Sequence, residues 1–286
     1  RSSDLNIIII SPNQVFSQYI SMVLPDLGEE NVEQITFDSI AAEELQGLRV
    51  ETRAEQLERI IEGGDRLSLE SIEFKGSTSF VKILDRLLSH YERKMIPFQD
   101  VYYDGQVIAT RQLLKSRFLV QRNTPIARRL AHIEESVWEA VKLLRPERLK
   151  KIEKIVQQSE GHDLEIKSFS RYLSLKETRA LGERLRRFTR IDCLTVYKKL
   201  FDKELFFRLA GDLRLPEGIE QMLEQTDQRL QQGVIYYEDV PALLYLKFKI
   251  EGADRFSWIK HVVVDEAQDY SPLQYQVFKA LFRWAD

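Results

Sequence analysis

Ile259-Lys-His-Val-Val-Val-Asp-Glu-Ala-Gln-Asp269 is the stretch on which the fold turns. Three consecutive valines, Val262–Val264, run straight into two adjacent carboxylates, Asp265 and Glu266. An unbroken β-branched run reads as a strand buried on both faces, as in a parallel sheet. In such sheets ligands bind beyond the carboxyl ends of the strands. Two acids at that position suit metal-assisted phosphate chemistry: one holds Mg²⁺, usually through water, and the other orients and deprotonates an attacking water. Successive strand side chains diverge, which lets the two acids take different tasks. Two solvated acids ending a strand ahead of a helix would leave the same trace in this stretch alone.

Working outward, Pro272–Leu281 has the spacing of an amphipathic helix, and Asp239–Ile250 that of a helix with Pro241 in its first turn. At the other end of the chain, Leu5-Asn-Ile-Ile-Ile-Ile-Ser-Pro12 is a second buried-strand pattern. A helical stripe follows over about 14–24, and Val32–Phe37 is a short strand leading into a helix near 39–45. The region between these flanks has long helical patterns over about 51–62, 78–95, 125–145, 146–159, 176–188, 193–209 and 217–231. Pro146 is expected to divide the longest stretch. One β insertion interrupts the helices: Asp104-Gly105 between two β-prone runs is the signal of a tight hairpin turn. The expected organisation is an α/β domain in two pieces, 1–46 and 235–286, around a mainly helical insertion, 47–234.

The chain has 286 residues, 42 Lys+Arg and 45 Asp+Glu, a net charge of -3. That near-balance hides an asymmetry: residues 111–200 hold 22 Lys+Arg against 11 Asp+Glu, and the rest hold 20 against 34. The split points to a polyanion or to an acidic docking partner, or to a solvated helical face. One cysteine, Cys193, excludes a disulfide scaffold and a Cys-rich zinc site, and its apolar neighbours place it in a core. The four histidines are too scattered for a metal site, and no nucleophile motif accompanies them. Glu29-Glu30 and Glu134-Glu135 read as solvated acids. Tyr102, Tyr103, Tyr236 and Tyr237 sit in strand or hairpin contexts, where packing is a better use for them than base stacking. No apolar run reaches the length of a membrane span. Arg1-Ser-Ser-Asp carries neither an initiator Met nor a signal peptide, so a cytoplasmic globular protein, or a piece of a larger one, is expected.

Val263-Val-Asp-Glu-Ala-Gln-Asp-Tyr-Ser-Pro-Leu-Gln-Tyr-Gln276 closely resembles motif II, the Walker B segment, of the UvrD/Rep-type superfamily 1 helicases. Ile7–Asn13 resembles motif Ia, Gln34-Ile-Thr-Phe-Asp-Ser39 resembles motif Ib, and Tyr236-Tyr-Glu-Asp-Val240 resembles the segment ahead of motif II. The matches fall in the family's order and cover the two flanks only. Within the family the wording is most similar to HelD-type ATPases of Gram-positive bacteria, in Ile9–Phe16, Tyr19-Ile20, Leu24-Pro25, Tyr245-Leu-Lys, Glu251-Gly252 and Ile259-Lys-His-Val. The resemblance implies a P-loop motor that uses ATP and Mg²⁺, with RNA polymerase as partner and an inserted arm gripping it. It assigns Asp265 to Mg²⁺ and Glu266 to general-base catalysis. It gives Gln268 and Asp269 the linking of nucleotide state to neighbouring motifs. Ser11, Pro12, Asn13, Thr36 and Phe37 fall where the family touches single-stranded nucleic acid.

A P-loop needs Gly-Lys, and none of the 12 glycines is followed by lysine. This chain alone is therefore expected neither to bind ATP tightly nor to hydrolyse it, the Walker A motif and second motor domain lying outside it. Two other readings stay open: a conventional UvrD/Rep translocase acting on single-stranded or forked DNA, and a non-catalytic binding module.

Overall fold

The computed structural model describes residues 6–13, 15–18, 32–63, 66–159, 165–283 and 285. The fold is mixed α/β, and the chain divides into two compact units: residues 1–89 together with 192–286, and residues 90–191.

The first unit is built on a three-stranded parallel sheet. Strands β1 (Ile7–Ser11), β2 (Val32–Thr36) and β7 (His261–Val264) lie in the order β2-β1-β7. Ile8 and Ile10 of the central strand are wholly buried. The register aligns Ile10 with Ile35 on one side and Val264 on the other. The sequence leads one to expect β7 buried on both faces; instead Val263 is 50% exposed. The reason is position: among the described residues β7 pairs only with β1, so it is an edge strand.

Helix α1 (Phe37–Glu44) follows β2 directly, with Thr36 and Ser39 forming a reciprocal cap. A two-residue strand β3 (Arg49–Val50) then leads to α2 (Arg53–Gly63), α3 (Arg66–Gly76) and α4 (Thr78–His90). The expected helix over 14–24 is seen at 15–18; the rest of it lies outside the described residues. After the second unit the chain continues through α8 (Cys193–Lys199), α9 (Lys203–Ala210) and α10 (Ile219–Gln231). Strand β6 (Val234–Ile235) pairs in parallel with β3. Helix α11 (Val240–Glu251) is apolar around most of its circumference and forms the centre of the unit, as such a composition requires. Helix α12 (Pro272–Leu281) closes it.

Helices 53–89 and 193–231 pack into this first unit, so the compact second unit, 90–191, is narrower than the expected 47–234 insertion. Side chains tie them in. Arg86 donates to the carbonyls of Leu209 and Ala210, and Tyr245 donates to Asp85 across 2.6 Å. Lys75 and Tyr197 both donate to the buried Asp239 carboxylate.

In the second unit a π turn (Tyr91–Met95) precedes the hairpin β4 (Val101–Tyr103) and β5 (Gln106–Ala109). Asp104 and Gly105 both have positive φ, at 51° and 74°, which the tight turn demands. Helices α5 (Arg111–Val120), α6 (Ile126–Gln158) and α7 (Ile166–Thr189) complete it. Helices α6 and α7 pack antiparallel: Thr189 donates to Glu134 near one end, and Arg148 pairs with Glu177 near the other. Pro146 does not divide α6. The helix runs through it, although proline removes one N–H and crowds the carbonyl of Lys142. One turn on, Arg148 holds both Glu177 and Asp104, and Lys151 holds Asp104, so the continuation is anchored on two other elements.

Among the described residues no helix is long and apolar enough to cross a membrane.

Candidate functional site at the carboxyl edge of the sheet

The three parallel strands end at one edge. Ser11 is in register with Thr36, and the Asp265 amide donates to the carbonyl of Ile10 across 2.9 Å. Asp265, Ser11 and Thr36 therefore form a row over three strands spaced about 4.8 Å apart. The structure brings together residues that lie about 230 to 250 positions apart in the chain: Asp265 and Glu266 with Ser11–Asn13 and Thr36–Phe37.

Beyond β7 the backbone turns sharply. Glu266 sits in the left-handed region at φ 47°, ψ 50°, which a non-glycine residue adopts at a cost of about 1–3 kcal/mol. Its amide donates to Asp265 Oδ1 at 3.0 Å, and its carbonyl accepts from the Asp269 amide at 2.8 Å. The Gln268 side-chain amide donates to Glu266 Oε2. Gln268 thus holds one oxygen of the Glu266 carboxylate and leaves the other free of that bond. Tyr275 braces the turn by donating to the carbonyl of Ala267 at 2.8 Å. Ser271 and Gln274 then cap α12 reciprocally. Asp269 is exposed and turned towards solvent.

The five residues expected at nucleic acid divide into two groups. Pro12 and Asn13 are at the surface, and Asn13 Oδ1 accepts from the Phe16 amide at 2.9 Å. Ser11, Thr36 and Phe37 are buried. Thr36 caps α1, and Phe37 packs edge-on against Phe278 with ring centroids 6.0 Å apart. The Ser11 hydroxyl is buried and has no hydrogen-bond partner among the described residues.

Several residues at this edge carry no motif signal of their own. Tyr270, next to Asp269, packs against Phe278 at 5.2 Å and Tyr275 at 6.3 Å. With Phe37 these rings form one aromatic cluster, which joins the Asp265–Asp269 turn to the start of α1. Burial pushes the Tyr270 hydroxyl up to about 12, with Asp265, Asp269 and Asp38 adding to the effect and Arg53 opposing it. Tyr237 donates to Asp38 at 2.6 Å, and burial followed by that carboxylate raises its pKa well above the ordinary value. Asp38, Tyr237 and the exposed Arg53 line a cavity of about 580 Å³ beside α1.

Tyr236–Asp239 is a structural hub. The guanidinium groups of Arg59 and Arg229 both lie over the Tyr236 ring, at 4.0 and 3.7 Å from its centre. Glu238 accepts from Gln56, Arg59 and Arg229. Burial alone would raise the Glu238 carboxyl, but Lys75 and Arg59 hold its pKa below the usual value. Tyr236 is therefore a packing residue, as its context predicts. The partners lie up to about 200 positions away, which no local pattern reveals.

Could this edge hold a metal and a nucleotide? Among the described residues no cluster of three or more His, Cys, Asp or Glu would hold a metal ion by itself. A carboxylate beside a strand end fits Mg²⁺, which keeps most of its waters and takes one or two protein carboxylates together with phosphate oxygens. The donor set fits that use, with Asp265 as the carboxylate. No protein-family model and no curated protein matches the chain.

Proposed function

We propose that the first unit is the Walker B part of a HelD-like, ATP-driven motor, and that it remodels or recycles RNA polymerase with the second unit as its gripping arm. The observation that carries this reading is the row of Asp265, Ser11 and Thr36 at one edge of a parallel sheet, with Glu266 held in a strained turn just beyond it. In this reading Asp265 holds Mg²⁺ when ATP is bound, and the ion supplies neutralisation of phosphate charge. Glu266 accepts the proton of the attacking water through the oxygen that Gln268 leaves free. Gln268 sets the orientation of that carboxylate, and Asp269 ties the turn together through its amide. This reading requires a phosphate-cradling loop that these residues do not contain, since none of the glycines is followed by lysine.

One observation favours the polymerase over a DNA track. Asp38, Asp265, Glu266 and Asp269 crowd the edge, with Arg53 the cation among them, and Ser11, Thr36 and Phe37 turn inward. A phosphodiester backbone gains affinity by meeting cations, and this edge offers few. The test is retention of the protein on purified RNA polymerase against retention on forked DNA. We expect polymerase to retain it at physiological salt. Binding of forked DNA with steep salt dependence, and none of polymerase, would instead establish a conventional translocase.

A further inference from the structure

The seam between α6 and α7 carries a groove that the motor chemistry does not use. It has a volume of about 570 Å³ and follows one stripe of each helix, from Glu134 to Arg145 and from Leu175 to Arg186. Eleven helical rises of about 1.5 Å make it about 16 Å long. Its floor is apolar: Val141 is buried, the Trp138 indole lies along it, and Leu175 is 56% exposed. Gly182 lets the indole come close, since a Cβ there would meet Trp138 Cζ2 at 3.3 Å.

The walls are cationic. The side chains of Lys142, Arg145 and Arg186 have no hydrogen bond or ion pair with any other described residue, and Arg179 reaches Glu183 only at 3.7 Å with both side chains solvated. Other cations of the same unit are neutralised: Arg129 by Glu92, and Arg148 and Lys151 by Glu177 and Asp104. The one acid lining the groove, Glu134, is engaged by Thr189. Apolar floor, aromatic edge and unpaired guanidinium groups together are the composition of a protein-binding surface. A nucleic-acid strand would use the cations and the Trp138 ring but not the aliphatic Val141 and Leu175.

We propose that this groove binds an acidic amphipathic helix of a partner protein, apolar side chains seated along Trp138, Val141 and Leu175 and carboxylates meeting Lys142, Arg145, Arg179 and Arg186. This mode lays an apolar helix face into a groove between two helices. The proposal rests on the reading of the second unit as a partner-binding element and is independent of the nucleotide chemistry of the first.

The experiment uses the full chain and fluorescence anisotropy with three labelled probes of about 15 units: a helical peptide with leucines on one face and glutamates on the other, polyglutamate, and oligo-dT. The amphipathic peptide is expected to bind more tightly than either of the others. Reversing two exposed groove cations, Arg145→Glu with Arg179→Glu, is expected to weaken it at least about tenfold, since desolvated charge partners dominate such interfaces. The same change of charge outside the groove, Lys150→Glu with Lys154→Glu, is expected to weaken it less than about threefold through long-range screening-limited terms alone. Equal losses from the two pairs, preference for oligo-dT or polyglutamate, or no binding of the peptide would each overturn the proposal. The polymerase reading fails separately: polymerase retained equally by the groove-reversed protein counts against the groove, whereas peptide binding without polymerase retention counts against polymerase as the partner.

Discussion

Replacing Lys75 by Met tests how the helices around the site are held. Lys75 and Asp239 are almost wholly buried, with side chains 1% and 2% exposed, so solvent screening is negligible. Lys75 also donates to Thr226 at 3.0 Å, and Tyr197 donates to the same Asp239 oxygen at 2.7 Å. Met matches the length of the lysine stem and leaves the carboxylate buried with only the tyrosine as partner. Breaking a buried pair from one side costs about 3–5 kcal/mol. Replacing both members, Lys75→Met with Asp239→Leu, leaves the Tyr197 hydroxyl without its acceptor instead of a buried charge, at about 1–3 kcal/mol, while Thr226 still accepts from Arg229. The double variant should therefore be more stable than the single one. With a urea slope near 2 kcal/mol/M, the single substitution moves the unfolding midpoint of the first unit by about 1.5–2.5 M. The assay is urea unfolding followed by far-ultraviolet circular dichroism and by tryptophan fluorescence. A shift below about 0.5 M for Lys75→Met, or a double variant as unstable as the sum of the single ones, would refute the reasoning.

Further outcomes follow from single features of the fold. Glu266→Gly relieves the left-handed backbone and should stabilise the first unit by about 0.5–1 kcal/mol in thermal unfolding, even though it removes a proposed catalytic group; a loss of stability would mean the turn is not strained. Pro146→Ala restores a helix-interior N–H in α6 and should stabilise the second unit by about 1–3 kcal/mol in urea. Burial, with Asp192 and Glu251 nearby, pushes the Cys193 thiol from 9.0 up to about 11. The folded state then holds the thiol proton more tightly than the unfolded one, so stability falls as pH rises from about 9 to about 11. Cys193→Ala should remove that part of the slope in denaturation curves, and disulfide reagents should label the native thiol slowly at pH 8.

The strands and their carboxyl edge were legible because their cause is local. Four isoleucines ended by Ser-Pro, and three valines ended by Asp-Glu, read as strands of a parallel sheet, and both are strands of one. Asp104-Gly105 was legible for the same reason, since few other dipeptides tolerate two positive φ values. The failures have long-range causes. Helix α3 carries Ser71 and Lys75 inward, and polar residues on a buried face erase the periodicity by which a helix is recognised. Lys75 is tolerable there only because Asp239, 164 residues away, receives it. Pro146 misleads because the sequence shows the local penalty and not the anchoring of Arg148 and Lys151 that offsets it. The limits of the compact units shift because helical character does not say which core a helix serves. The acidic residues were found, but the aromatic cluster of Tyr270, Tyr275, Phe278 and Phe37 that unites the edge was not. Its members are unremarkable apolar positions until the two flanks are folded together.

The central claim is that Asp265 and Glu266 form a nucleotide-hydrolysing edge once a phosphate-binding loop is supplied. The most direct measurement is steady-state ATP hydrolysis with Mg²⁺, alongside binding of a fluorescent ATP analogue, by a protein that carries this chain together with a phosphate-binding loop, for the wild type and for Glu266→Gln. The 286-residue chain by itself should show no turnover above that of its own Glu266→Gln variant. In the loop-bearing protein, Glu266→Gln should lower turnover by about 10²-fold or more while leaving nucleotide binding within about threefold, as expected when a general base is lost and the binding groups remain. Unchanged turnover in the Glu266→Gln protein, or hydrolysis by the 286-residue chain alone, would contradict it.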